Sequence, residues 1–195
     1  MALTVDGDVR AVEQLLIEGQ LACPCCGGPL GPWGWARSRV VGRGGARLRP
    51  RRGRCRGCRV TQVLLVAVLL VRRADLVELI GAALLLLARG VPVRRVARSV
   101  GVPRSTVRGW AARLSEGAQR LRGHFTRWLV WLAPQQRLRP TGAEVGDAVA
   151  AIVAAGRAAV HAQTAGSVWR FASAATSGQL LGCNTDAPFP APWNG

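Results

Sequence analysis

The sequence contains no lysine and few acidic residues, so its charge is strongly one-sided. All 27 basic residues are arginine and only ten residues are Asp or Glu, which gives a formal net charge of +17. No acidic residue lies between positions 19 and 74, a segment with 12 arginines. A GC-rich genome can replace Lys by Arg, but it does not explain the missing carboxylates, because Asp and Glu also have GC-rich codons. The imbalance predicts a polyanionic partner, and it favours nucleic acid over a membrane surface.

Long hydrophobic segments are absent as well. The longest uncharged apolar runs, at 63–71 and 79–88, are too short to cross a bilayer. The N-terminus carries Asp6, Asp8 and Glu13, which is not typical of a secretory or transit signal. We therefore expect a cytoplasmic, nucleoid-associated protein without a membrane partner.

The acidic residues and histidines form no catalytic pattern. A transposase of the Asp-Asp-Glu type needs three carboxylates on a mixed α/β core to hold two metal ions. Here the chain after residue 114 is predicted to be helical, and a Walker loop, a Ser-His-Asp set or a Cys-His pair is not evident. His124 and His161 stand alone and are expected to be structural. The sequence predicts a protein that is not an enzyme.

Four of the six cysteines form two C-x2-C pairs separated by 28 residues. These are Cys23, Cys26, Cys55 and Cys58. Paired knuckles at this spacing are typical of a zinc ribbon, in which four thiolates close a tetrahedral site around a structural Zn²⁺. Disulfides are disfavoured in a cytoplasmic protein. Cys25 remains open as a competing ligand, and the isolated Cys183 is expected to be inert.

The segment between the two pairs is predicted to form the strands of the ribbon. Alternating stretches at 37–41 and 47–49 flank a Gly-rich turn at 42–45. Ten arginines lie between 37 and 59, which favours a phosphate-binding hairpin over a merely solvated one. Arg51, Arg52 and Arg54 are assigned to phosphates. Trp33 and Trp35 are expected in the ribbon core rather than as a base-stacking platform.

Residues 93–114 have the pattern of a helix-turn-helix. Ala97 is small where two helices must cross, and Gly101 permits a left-handed turn between them. Val107, Trp110 and Leu114 recur at helical spacing and are expected to face inward. The outward residues Arg104, Ser105 and Arg108 then suit base edges in the major groove, and Arg94, Arg95 and Arg98 of the first helix suit phosphates. An ordinary helical hairpin with a solvated basic face is the alternative.

The predicted fold is mainly α with a small β zinc ribbon. An N-terminal helix (1–20) and the ribbon (21–66) precede a helix-turn-helix three-helix bundle (67–115), whose first helix spans 75–89. A helical C-terminal region (116–182) and a Pro-rich tail (183–195) follow. In that region we expect one helix at 115–133, a second that a capping box at 141–144 opens and that ends near 160, and a weaker one ending near 177.

Four stretches carry a resemblance to a known family, namely Cys23–Gly28, Trp33–Trp35, Arg51–Leu65 and Gly101–Trp110. Together they resemble an uncharacterised family of zinc-ribbon plus helix-turn-helix proteins of GC-rich bacteria, encoded near insertion-sequence transposases. The resemblance covers roughly the first 115 residues. The same arrangement is found at the N-terminus of several transposase families. It implies a DNA-end-binding or accessory role in mobile-element metabolism, although this chain lacks their catalytic domain.

These observations predict a non-catalytic, sequence-specific protein that binds double-stranded DNA. It would bind the ends of a mobile element beside a separate transposase, and a homodimer is a further expectation. A transcriptional regulator using the same helix-turn-helix is the first alternative. A truncated transposase or metal-dependent nuclease is the second. An RNA-binding or protein-interaction module that uses the ribbon as its contact is the third.

Overall fold

The computed structural model describes residues 2–5, 9–42, 44–182 and 189. Cys183 and the predicted Pro-rich tail therefore lie outside the described residues, Phe189 excepted. The described chain is mainly helical, with a small sheet region at its N-terminal end, as the sequence predicted. Its elements in order are β1 (Ala2–Val5), α1 (Val9–Ile17), β2 (Leu30–Trp35), β3 (Arg39–Val41), β4 (Ala46–Leu48), β5 (Arg51–Cys55), β6 (Thr61–Val66), α2 (Val77–Ala88), α3 (Val93–Val100), α4 (Arg104–Leu132), α5 (Glu144–His161) and α6 (Val168–Ala175). The predicted N-terminal helix (1–20) is thus shorter than expected and follows a strand.

A four-stranded sheet with the order β1-β6-β5-β2 organises the N-terminal region. Strand β5 pairs antiparallel with both β2 and β6, and β1 joins β6 in parallel. Helix α1 covers one face of the sheet, where Leu16 is fully buried. A Cβ on Gly53 of β5 would lie only 3.0 Å from the Leu16 side chain, so the helix and the strand approach closely. This contact fixes which sheet face is covered.

The hairpin predicted as the ribbon strands is a separate element. Strands β3 and β4 form their own two-stranded sheet and do not join the strands that lead to the cysteines. The sequence interpretation was wrong here because the cysteine pairs are brought together by β2 and β5, in which Leu30 lies opposite Cys55. The hairpin instead packs on the sheet region through Val41, which is buried with Leu65 and Leu69.

Helices α2 to α6 share one hydrophobic core that runs from Leu70 to Leu181. Close contacts between α6 and two other helices help to form this core. A Cβ on Gly81 of α2 would lie 2.1 Å from the Trp169 ring of α6, and one on Gly156 of α5 would lie 2.8 Å from Val168. Because α2, α3 and α4 share this core with α5 and α6, the predicted three-helix bundle is not confirmed as a separate unit.

Helix α4 is one continuous element of 29 residues, about 44 Å long. The sequence interpretation divided it near Ser115, and that division was wrong. The apolar stripe continues without a break through Leu114, Ala118 and Leu121, all of which are buried. Ser115 and Gly117 weaken a helix only modestly, so tertiary packing carries the helix through them. No helix in the described part of the chain is long and apolar enough to span a membrane.

The loop between α4 and α5 is closed by Asp147 rather than by a capping box. Ala143 is the N-cap of α5 and its side chain makes no capping hydrogen bond. The capping box predicted at 141–144 was therefore wrong. The backbone N–H and the hydroxyl of Thr141 instead donate to Asp147 Oδ1, at 2.5 and 2.8 Å. These bonds, together with Arg122 at 3.6 Å, hold the pKa of Asp147 below its usual value. The loop is thereby tied to the first turns of α5.

Candidate metal centre and nucleic-acid interface

Four cysteine sulfurs meet at one end of the sheet. The Sγ atoms of Cys23, Cys26, Cys55 and Cys58 all lie within 4.8 Å of one another. The first knuckle precedes β2 and the second begins at the last residue of β5, so the antiparallel pairing of these strands brings the knuckles together. The predicted set of ligands is therefore placed together by the fold.

The sulfur spacing fits a tetrahedral metal site. The Sγ atoms of Cys23 and Cys58 are 3.7 Å apart, and those of Cys26 and Cys55 are 3.4 Å apart. A disulfide would bring two sulfurs to about 2 Å. A tetrahedron with metal–sulfur bonds of about 2.3 Å has edges of about 3.8 Å. The cluster therefore suits a four-thiolate metal site, and the described cysteines are free thiols.

Hydrogen bonds within the knuckles prepare two of the sulfurs for metal binding. The backbone N–H of Cys25 leads the interactions that lower the pKa of the Cys23 thiol. Burial opposes ionisation of Cys55, but backbone N–H groups of the second knuckle and the neighbouring thiols lower its pKa overall. At Cys58 the N–H of Val60 favours the thiolate, but the other sulfurs and burial raise the pKa to about 12. Ionisation of Cys58 beside the other sulfurs is therefore favoured by a nearby cation, and a divalent metal ion would supply that charge.

Cys25 lies outside the cluster. Its sulfur accepts a hydrogen bond from Nε2 of the buried Gln62, at 3.6 Å, and its side chain is otherwise exposed. Burial and the neighbouring Cys23 thiolate raise the pKa of the Cys25 thiol. The geometry therefore selects Cys23 and Cys26 from the first knuckle, which resolves the alternative left open by the sequence.

The helix-turn-helix lies at the junction of α3 and α4. Helix α3 ends at Gly101, whose φ of +61° is the left-handed conformation that favours glycine. Helix α4 begins after Pro103. Val107, Trp110 and Leu114, which were predicted to face inward, are buried, and so are Val96 and Ala97 of α3. The two helices therefore pack in the predicted register.

The predicted DNA-contacting side chains on these helices are accessible. Arg104, Ser105 and Arg108 are exposed on the first turns of α4. Arg94, Arg95 and Arg98 are exposed on α3. Gly109 is exposed beside Arg108, and a Cβ added to it would meet nothing within 4 Å. Sequence reasoning did not single out Gly109, although a glycine inside an otherwise strong helix is a signal that could have drawn attention to it.

Arg51 is committed to contacts within the chain. Its guanidinium binds both carboxylate oxygens of Glu13 on α1, at 2.5 and 2.8 Å, and donates to the carbonyl of Gly34. Its side chain is only 13% exposed. The hydrogen bond from Arg51 is the main cause that lowers the pKa of Glu13. Arg51 is therefore a structural residue in this fold rather than the phosphate contact that the sequence suggested.

The two tryptophans of β2 are not ribbon core. Trp33 is 52% exposed and Trp35 is 41% exposed. An irregularity in the β2–β5 pairing between Pro32 and Gly34 displaces Trp33 from the regular alternation of side chains. The guanidinium of Arg54 lies 4.3 Å from the Trp33 ring centre, and that of Arg51 lies 4.9 Å from the Trp35 ring centre. The expectation of a buried tryptophan pair was wrong.

Comparison with known proteins identifies one part of the chain. Residues 75–122 match the family model of a homeodomain-like domain. The match spans α2, α3 and the N-terminal part of α4, which includes the helix-turn-helix described above. It supports DNA binding by this part of the protein. No curated protein and no solved structure matches the chain.

Proposed function

We propose that this protein is a non-catalytic, sequence-specific binder of double-stranded DNA, with α4 as its recognition helix. The carrying observation is that the homeodomain-like match coincides with an exposed Arg104-Ser105-Arg108 surface at the start of α4. In a helix-turn-helix the N-terminal residues of the second helix contact base edges in the major groove. Arginine suits that position because it bonds O6 and N7 of guanine with two parallel hydrogen bonds.

Phosphate contacts are assigned to arginines around this helix. Arg94, Arg95 and Arg98 project from α3, the helix that crosses the DNA backbone in this motif. Arg52 and Arg54 of β5, in the sheet region, are assigned to phosphates as well. Such contacts position the protein on the duplex and carry no sequence information directly. Arg51 is left out of this set because it binds Glu13.

The metal in the four-cysteine site is assigned as structural Zn²⁺. Four cysteine sulfurs close a tetrahedral site and leave no position for a substrate or for water. Thiolate sets also suit iron, but an isolated pair of C-x2-C knuckles is typical of zinc. When bound, the ion would hold the loop before β2 and the loop after β5 together. It would contribute to folding rather than to a reaction.

The biological setting that we favour is the end of a mobile genetic element, where the protein would act as an accessory to a separate transposase. Homeodomain-like domains of this class are typical of DNA-binding regions of transposases. A regulator of the associated genes would use the same surface of α4. The two settings differ in the DNA sites that the protein would bind. An accessory to transposition would bind the ends of the element, whereas a regulator would bind promoters.

The test is a comparison of matched duplexes. The preferred site is first selected from genomic fragments with the purified, metal-containing protein. Arg108→Ala should then weaken binding to this site by about 1–3 kcal/mol and weaken a scrambled duplex much less, because it removes one base contact. Arg127→Ala is the matched control, because Arg127 is exposed on the same helix far from its N-terminus.

Two outcomes would overturn the proposal. Equal weakening of the preferred and scrambled duplexes by Arg108→Ala would reject α4 as the recognition helix. Cleavage or strand transfer of the selected duplex by the purified chain with Mg²⁺ would reject the non-catalytic assignment. Retained metal and helix content must be confirmed for each variant, since a folding defect also reduces affinity.

A further inference from the structure

On strands β2 and β5 of the sheet, one face is covered by α1 and the other, the outer face, carries arginine. Gly53 and Leu30 face Leu16 of α1, which assigns their side of the sheet to the covered face. Residues directly opposite each other on paired strands share a face, and the faces alternate along each strand. Arg52 lies opposite Gly34, and Arg54 lies opposite Gly31. Both arginines are therefore on the outer face.

Trp33 lies on the same outer face. Its ring stacks against the Arg54 guanidinium, with the Arg54 Cζ atom 4.3 Å from the ring centre. Although Arg54 lies against it, the side chain is still 52% exposed. Tryptophan is the largest apolar side chain, and a folded protein usually buries most of it. The Trp33 ring is exposed at the surface of the sheet and is flanked by an arginine. Such a ring is suited to stacking with another flat ring.

The surroundings of Trp33 are cationic and contain no counterion from the ribbon itself. The Arg56 guanidinium lies over Gly31, where an added Cβ would be 3.4 Å from Arg56 Nε. The segment from 19 to 74 contains no acidic residue. Glu13, the acidic partner of Arg51, sits on α1 and so belongs to the covered face. The outer face thus combines one open indole ring with three arginines, Arg52, Arg54 and Arg56.

We propose that this outer face binds single-stranded DNA, with an unpaired base stacked on Trp33 and the flanking phosphates on the three arginines. A duplex hides the faces of its bases, so an indole ring can stack only on a base that has been unpaired. Arginines beside an aromatic platform track the phosphate backbone. The proposal deepens the proposed function, since it adds an unpaired-strand contact to a protein whose α4 contacts duplex DNA.

Trp35 provides an internal contrast. It lies opposite Arg51, on the face covered by α1, and it lines a small cavity with Val5, Val12 and Leu64. Its arginine partner is already bound to Glu13. Trp35 is thus exposed to a similar degree, but the guanidinium that lies against its ring is held by a carboxylate. The two tryptophans of one strand can therefore serve as test and control.

The experiment compares a 15-nucleotide thymidine strand with an abasic deoxyribose-phosphate strand of the same length, using the full, metal-containing protein. Trp33→Ala should weaken binding to the thymidine strand about tenfold, because it removes one base stack. It should leave the affinity for the abasic strand unchanged, since that strand has phosphates but no bases to stack on the indole ring. Trp33→Phe should retain most of the affinity, and Trp35→Ala should behave as the unmodified protein.

The outcomes separate this proposal from the proposed function. Arg108→Ala should weaken the selected duplex and leave the thymidine strand unaffected, so failure of one assignment does not imply failure of the other. Equal effects of Trp33→Ala on the thymidine and abasic strands, or no effect on either, would overturn base stacking. Tighter binding of a uridine RNA strand than of the thymidine strand would overturn the assignment to DNA.

Discussion

Arginine serves two different purposes at two positions of β5. Arg51 makes two hydrogen bonds to Glu13 and is largely buried, whereas Arg54 lies against an exposed ring and donates to the Arg59 carbonyl. Alternation along the strand separates them, because Arg51 points to α1 and Arg54 points outward. The acidic partner comes from α1, 38 positions away, so composition alone could not show which arginine was already occupied.

Gly109 is a second residue whose role depends on its surroundings. A glycine inside a helix is less favourable than alanine by about 1 kcal/mol, and the packing of the free protein gives no reason for it here. We expect that close approach of α4 to DNA gives the reason. Gly109→Ala should therefore raise the free energy of unfolding by about 0.5–1 kcal/mol and still weaken duplex binding. Thermal unfolding and titration with the selected duplex measure both quantities.

Gly123 is the matched control for this prediction. It lies in the same helix, is exposed, and a Cβ there would also meet nothing within 4 Å. Gly123→Ala should give the same gain in stability with no change in DNA affinity. If both alanine variants bind the duplex as tightly as the unmodified protein, Gly109 does not mark a close approach.

At the level of elements, local patterns predicted the helices better than the sheet. The apolar spacing was sufficient to predict α2, α3 and the start of α4, because the residues that each helix buries recur at helical spacing within its own sequence. Strand β1 was not predicted, since four residues pair with β6 about 60 positions later and no local signal records that partner. The same limit explains Trp33, whose exposure follows from an irregular pairing of β2 with β5.

The cysteine pairs were predictable as ligands but not as part of the sheet core. Cys23 and Cys55 are buried among Val5, Leu16 and Leu30, so two of the four ligands also belong to the small core under α1. The core of the helical region is a different cluster. The metal site and the sheet are therefore expected to fold together, while the helices have packing of their own.

This arrangement predicts a selective loss of structure on metal removal. Cys55→Ser should abolish metal binding and unfold the sheet region, while most of the helix content remains, because the helical core contains none of the ligands. Metal analysis and far-ultraviolet circular dichroism check this expectation. Acid should release the metal as well, since protons compete for the thiolates.

Cys25→Ser is the control for the metal prediction, because the Cys25 sulfur lies outside the four-sulfur cluster. It should keep one zinc ion per chain. A Cys55→Ser protein with full metal content, or an unmodified protein that is folded and free of metal with all four thiols reactive, would contradict the structural-zinc assignment.

For the whole molecule, the uneven charge has a measurable consequence. Residues 19–74 carry 12 arginines and no acid, whereas residues 1–18 have a net charge of −3. Each phosphate contact releases condensed counterions, so the logarithm of affinity falls with the logarithm of salt concentration by about 0.9 per contact. The slope of log affinity against log salt therefore reports the number of phosphate contacts. A change in net charge away from the DNA is expected to change this slope much less.

The last prediction uses this slope to test the phosphate contacts of α3. Changing Arg94, Arg95 and Arg98 together to Gln should weaken the preferred and scrambled duplexes similarly and reduce the slope by up to about 2.7, from three contacts at about 0.9 each. The matched control changes Arg127, Arg157 and Arg170 to Gln, since these are exposed on α4, α5 and α6 and remove the same charge. It should leave the slope nearly unchanged. An equal reduction by both triple variants would show that net charge, rather than contact by α3, sets the salt dependence. Loss of specific binding alone in the α3 variant would instead move sequence recognition onto that helix.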